Sequence, residues 1–221
     1  MSNVRYLSYQ QYQQLLSVID NFMHKLIIRL GFESLCRITE ITNLTLKDLN
    51  FDDAEIYVKP ELTKTGVGGW IEISEELMND IKSWLISEKR IKVRSCEVIE
   101  PDSHLFQPRQ AREINGSFVR KYTRHRLRQI FNKYVEKAGL QELRGEDSYG
   151  DPLRTYTFHS LRHSGIMFMI HDLKLPLDVV RAKSRHTSLA GLSHYAKPSR
   201  SLVRAEVRNA RKKFKHDFNL E

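Results

Sequence analysis

His159-Ser160-Leu161-Arg162-His163 opens the stretch that decides the fold. Behind it come Ser184-Arg185-His186 and, nine positions after that histidine, Tyr195. A histidine and an arginine three residues apart share one helical face. The run that follows, Ile166-Met167-Phe168-Met169-Ile170, is apolar, so the polar residues stand at the edge of a core. A polar cluster in that position needs internal partners or a ligand. Two further basic residues precede it: Arg37, in the helix start Cys36-Arg37-Ile38-Thr39-Glu40, and Lys64, in the turn Thr63-Lys64-Thr65-Gly66. Arginines and histidines gather around a phosphodiester, and a tyrosine hydroxyl is a nucleophile that such a pocket aims at it.

Working outward, the chain reads as mainly helical with a short β insertion. Ser8 caps a first helix with Tyr12, Leu15, Leu16 and Ile19 on its apolar face; a second runs from about Asn21 to Phe32, and a short third from Arg37 to Leu44. The period then changes to two, predicting strands at Glu55–Lys59 and Gly69–Ile73 and a short third one at His104–Phe106. Ser74 caps a helix reaching about Arg90. Phe118–Ala138 reads as a strong basic helix stopped by Gly139, and 142–152 as a loop. An apolar helix over His159–Leu173, a short one after Pro176, and a turn leading into a helix over Ser188–Tyr195 follow. Residues 199–221 form a basic tail helix with Leu202, Val203, Val207 and Ala210 as its apolar positions.

Composition narrows the class. The chain has 221 residues, 36 lysines and arginines against 27 aspartates and glutamates, and a formal charge of +9. That favours a polyanionic partner without proving one. Two cysteines, Cys36 and Cys96, build neither a disulfide framework nor a zinc site by themselves, so a reducing, cytoplasmic compartment is the simpler reading. No apolar run suits a membrane span and no N-terminal run suits a secretory signal. There is no P-loop and no convincing carboxylate cluster, so neither a metal nor another cofactor is expected.

No single motif is decisive. His125-Arg126-Leu127-Arg128 copies the H-x-x-R pattern, and Tyr134 follows His125 by nine residues. That copy lies wholly within one strongly basic helix, where it reads as a solvated or phosphate-facing surface. Each true candidate also has an ordinary reading: Arg37 as a salt bridge to Glu40, Lys64 as a solubilising turn lysine, His159 and His163 as core-edge histidines, Tyr195 as a half-buried aromatic. Taken in order, those ordinary readings must all coincide.

The combined pattern resembles the tyrosine recombinase (phage integrase) family over about residues 5–200. Arg37 with Glu40 resembles its first arginine box, Lys64 its β-hairpin lysine, His159-Ser-Leu-Arg162-His163 its second box, and His186 with Tyr195 its interval to the nucleophile. Two positions depart: Arg185 precedes the third-box histidine and Leu35 stands two residues before Arg37, where the family usually has glycine.

The resemblance implies an α+β fold, mainly α with a small antiparallel sheet, with residues 1–198 as the catalytic domain and no separate N-terminal core-binding domain before it. It implies site-specific DNA cleavage and rejoining for recombination or integration of a mobile element, through a 3′-phosphotyrosine, without metal or ATP. Arg37 and Arg162 then clamp the phosphate, and His159 and His186 add hydrogen bonds or move a proton. Tyr195 attacks, Lys64 protonates the leaving 5′ oxygen, and Glu40 and His163 support. Double-stranded DNA is the expected partner, gripped by Arg120, Lys121, Arg124 and Arg128, with self-association into a tetrameric synapse. A topoisomerase using the same groups and a DNA-binding module with an inactive site are the alternatives.

Overall fold

The computed structural model describes residues 5–63, 66–92, 97–108, 110, 112–114, 117–146, 152–193 and 195. Lys64 and the tail 199–221 lie outside the described residues.

Helix α1 (Tyr9–Ser17) starts at Ser8, whose hydroxyl accepts the Gln11 N–H while the Gln11 side chain returns to the Ser8 N–H. Helix α2 (Phe22–Glu33) is capped by Asn21, whose side chain accepts from the His24 N–H. It buries Leu26, Ile27, Ile28 and Leu30 completely. A sharp turn through Leu35 leads to α3 (Ile38–Asn43). The sheet follows: β1 (Leu49–Asn50), β2 (Glu55–Val58) and β3 (Gly69–Glu72), antiparallel in the order β1-β2-β3, with Ile56 opposite Ile71. Ile56 and Val58 are buried and alternate with Glu55 and Tyr57, the pattern of a sheet packed on one face. Ser74 then caps α4 (Glu75–Ser87) by accepting the Leu77 N–H.

Three expectations change here. The third strand of the sheet is Leu49–Asn50; His104 makes only an isolated bridge to Thr45, and Arg90 ties that segment down through the carbonyls of His104 and Leu105. The basic helix α5 (Arg124–Lys137) begins six residues later than predicted, at the Thr123 cap, because Ser117–Val119 (β5) pairs with Arg112–Ile114 (β4) as a hairpin. The expected loop at 142–152 contains another hairpin, β6 (Leu143–Glu146) with β7 (Pro152–Arg154), whose irregular register and left-handed Gly145 hide any strand period.

Helix α6 (Phe158–Met167) crosses α2 at close range. A Cβ at Gly165 would strike the Phe32 carbonyl and the Leu35 side chain, and one at Gly31 would press on Leu161. Beyond Met167 the helix widens into a π turn (Phe168–Asp172), then α7 (Leu177–Ser184) and a 3-10 turn (Leu189–Leu192) complete the described chain. Two apolar clusters result. The large one joins α1 to α6, with Tyr12 stacked on Phe32 at 3.9 Å between centroids. The small one holds Leu35, Ile166, Met169, Val180, Leu192 and Tyr195, and it forms the floor on which the candidate site is built.

Candidate active site

The site grows from two chain reversals that one guanidinium ties together. Leu35, just past the end of α2, has φ of 56°, and Arg185, at the end of α7, has φ of 56° and ψ of 37°. Both are left-handed, at the two positions where the resemblance led one to expect glycine. A left-handed side-chain-bearing residue costs roughly 1–2 kcal/mol. The turns keep their geometry nonetheless: after α7 the Arg185 N–H reaches the Ala182 carbonyl at 3.1 Å and the His186 N–H the Arg181 carbonyl at 3.2 Å. Arg162, on the inner face of α6 and only 3% exposed, donates through Nη1 to the Leu35 carbonyl and through Nη2 to the Ser184 carbonyl. Each terminal nitrogen carries a second hydrogen, so the fork retains donors after both carbonyls are met.

Arg37 caps α3 from outside. A guanidinium cannot accept the orphan N–H groups of a helix start, so the helix relies on Glu40 instead. Its Oε2 accepts the Arg37 backbone N–H at 2.7 Å, while Oε1 pairs with Arg37 Nη1 at 3.1 Å. The Glu40 carboxylate is fully buried, whereas Arg37 keeps about a quarter of its side chain open to solvent. Arg185 supplies a second cation to Glu40, with Nη2 at 2.7 Å from Oε2.

The histidines and the tyrosine complete the pocket. The Tyr195 hydroxyl lies in hydrogen-bond contact with His163 Nδ1, and its ring is 5.6 Å from that imidazole and 6.5 Å from His186. His159 meets His163 edge-on at 4.4 Å. Ser184 Oγ is 2.7 Å from His186 Nδ1, and Gly191 leaves room for the His186 ring: a Cβ there would lie 3.1 Å from Cδ2. The π turn places His171 Nε2 2.9 Å from the Tyr195 carbonyl. Such widened turns recur at functional sites.

Electrostatics show the groups share one environment. Burial, then the charges of Arg37 and Arg185, pull Arg162 down to about 10, still fully ionised at neutral pH. Burial, then Arg162 and Arg37, lower His186 to about 4. Burial, then His159, Arg162 and His186, lower His163 to about 4. Burial, then Arg162 and Arg37, depress His159, and burial raises Tyr195 while Arg162 opposes the rise. Burial is the largest cause for each of these histidines and for Arg162, and the guanidinium charges add to it, so the pocket offers positive potential suited to an anion.

Arg37, His159, Arg162, His163, His186 and Tyr195 therefore meet around one pocket. Lys64 belongs to the segment joining β2 to β3, outside the described residues. The competing set separates: Tyr134 is fully buried with its hydroxyl on Asp20 at 2.7 Å and His24 at 3.0 Å, while His125 and Arg128 are exposed on the opposite side of α5. Arg120, Arg124 and Arg128 are exposed, but Lys121 donates to Asn43 Oδ1 at 2.5 Å and is only half open. Sequence reasoning missed His171, Ser184 and Arg185. The π turn that aims His171 leaves no periodic signal; Arg185 did leave one, by standing where a glycine was expected. Among the described residues no three histidine, cysteine, aspartate or glutamate side chains are grouped as metal ligands, and no helix is long and apolar enough to cross a membrane.

A mainly α fold with this small antiparallel sheet is that of tyrosine recombinase catalytic domains. The chain belongs to the phage integrase family, whose model matches residues 5–201. It is 24% identical over 207 residues to tyrosine recombinase XerA of Pyrococcus horikoshii, an alignment covering 93% of this chain and 61% of that protein. The crystal structure of XerA recombinase superposes with a TM-score of 0.67 at 17% identity, over 94% of this chain and 65% of that one. The Tn1549 transposon integrase in complex with a circular intermediate DNA gives 0.64 at 21% identity, over 95% and 67%. XerH site-specific recombinase bound to palindromic difH substrate gives 0.61 at 20%, over 88% and 50%.

Proposed function

We propose that this chain cleaves and rejoins duplex DNA at specific sites, with Tyr195 forming a 3′-phosphotyrosine bond and releasing a 5′ hydroxyl. The observation that carries this reading is the Tyr195 phenol held against His163 beside the buried Arg162 fork. Arg37 and Arg162 stabilise charge on the non-bridging oxygens, which grows in the transition state. His159 and His186 add donors to the same oxygens. The neutral His163 Nδ1 accepts the phenolic proton as Tyr195 attacks, a role its position supports better than that of the more distant His186. Lys64 protonates the leaving oxygen, a role that rests on the family resemblance. One phosphodiester replaces another, so rejoining draws on no external energy source.

DNA binding falls to the start of α5. Arg124, Arg126 and Arg128 are exposed there, with no acidic residue in the first turn. Arginines at the positive end of a helix repel one another in isolation and favour a polyanion. Arg120 extends that surface, and Lys121 braces it through Asn43. We assign residues through 198 to catalysis and the basic tail beyond them to contacts between protomers on DNA, where strand exchange needs several copies. The related recombinase of P. horikoshii and the Tn1549 transposon integrase make a prokaryotic or mobile-element setting the natural one.

The test is a nicked suicide duplex carrying the element's junction sequence, resolved on a denaturing gel. A covalent protein–DNA band that protease removes is the expected result. Its absence would leave only a DNA-binding module; relaxation of site-free supercoiled plasmid without strand exchange would make the chain a topoisomerase.

The proton transfer carries its own pH signature. His163 accepts only when neutral, so single-turnover cleavage holds steady through neutral pH and falls as pH drops through about 4. Replacing His163 by phenylalanine lowers the cleavage rate about 10²–10⁴-fold. An acid limb near 6.5, the ordinary histidine value, or an undiminished rate in that variant would remove His163 from the role.

A further inference from the structure

Arg185 has features that fold stability does not explain. It occupies a left-handed position that glycine would fill without strain. Its guanidinium is turned inward, with the side chain only 6% exposed, and Nε and Nη1 are buried without hydrogen-bond partners among the described residues. The one strong contact is Nη2 to Glu40 Oε2; a weaker approach to Cys36 Sγ is 3.8 Å. Glu40 already holds two donors from Arg37, so Arg185 is not required merely to neutralise it. What the second pairing adds is a link: the residue preceding His186 becomes joined, through the Glu40 carboxylate, to Arg37.

Resting on the recombinase reading above, we propose that Arg185 is a positioning residue for cleavage, which acts through Glu40 to register the His186 turn against the Arg37 guanidinium. Both donors then face the same phosphate in fixed relation. The arrangement trades unmet buried N–H groups and a strained backbone for a rigid anion site, a pattern associated with functional positions. Arg185 is assigned no DNA contact: its Nη2 is taken by Glu40, and its Nε and Nη1 are each enclosed.

The experiment compares the wild-type chain with Arg185→Gly, Arg185→Lys, Glu40→Gln and the Arg185→Gly/Glu40→Gln double variant. Arg185→Gly cleaves the suicide duplex about 10²-fold more slowly, as a small misplacement of a catalytic group does. Its duplex affinity by fluorescence anisotropy stays within about threefold, placing the loss in the chemical step. In the Glu40→Gln background the same replacement costs about threefold or less, because the charged pairing that carries the link is already lost. Arg185→Lys, which keeps a charge at Glu40 should the glycine variant fail to fold, recovers part of the rate.

A readout independent of activity is the His186 ring proton followed by NMR titration. Freed from its register, His186 hydrates, and its midpoint moves upward from about 4 in Arg185→Gly. Unchanged cleavage together with an unchanged His186 midpoint would overturn the proposal. So would a full-sized loss in the Glu40→Gln background, or a rate loss that vanishes when corrected for the folded fraction. If the wild-type chain makes no adduct while the midpoint still moves, the recombinase reading fails, the role in cleavage falls with it, and only the coupling of Arg185 to the His186 turn stands.

Discussion

Phenylalanine at position 195 abolishes the covalent protein–DNA band while duplex binding persists. The ring of Tyr195 belongs to the small apolar cluster with Leu35, Ile166 and Leu192, and phenylalanine keeps that packing. Only the hydroxyl is lost, together with its contact to His163. The stability cost is about 1 kcal/mol, that of one hydrogen bond. The chemical cost is total, because the nucleophile is the deleted atom. Tyr134→Phe is the matched control: it removes a hydroxyl held by Asp20 and His24 on the far side of the core, and the adduct still forms. Gel analysis of the two variants side by side decides the matter. An adduct surviving in Tyr195→Phe, or lost in Tyr134→Phe, would move the nucleophile elsewhere.

The second large effect is at Arg162. Arg162→Lys keeps the charge and loses the fork. One ammonium cannot serve both the Leu35 and the Ser184 carbonyls from the Arg162 position and also face a phosphate. One buried carbonyl is left unmet, which costs about 1–3 kcal/mol in denaturant unfolding. Cleavage falls about 10²–10³-fold, the usual consequence of losing one preorganised donor to a developing oxyanion. Single-turnover rates at saturating duplex separate this from weaker binding. A lysine variant as fast and as stable as wild type would show that charge alone suffices there.

The elements that position the site were legible because each has a local cause. Ser8, Asn21 and Ser74 cap α1, α2 and α4 as their side chains dictate, and the sheet strands β2 and β3 follow the two-residue period. What the chain concealed is of another kind. The hairpins at 112–119 and 143–154 are built on short arms without apolar alternation, so no period marks them. The start of α5 was misplaced because basic residues on both sides of Thr123 look alike in composition, and only the cap separates them. Within the pocket, residue types and spacing pointed to groups that the structure brings together. They could not say that His163, one residue past Arg162, is the ring that meets the phenol, because that depends on how far the chain after α7 folds back. Nor could they show Glu40 serving two cations, a fact of tertiary approach between α3 and the end of α7.

The left-handed arginine at the end of α7 has an evolutionary corollary. Opposing demands meet at this position: glycine there would relax the main chain and remove two nitrogens that lack partners among the described residues, but would give up the second cation on Glu40 and the positioning role proposed above. A lineage selected only for surviving high temperature would drift toward glycine at 185. One selected for the proposed DNA cleavage would keep the costlier side chain.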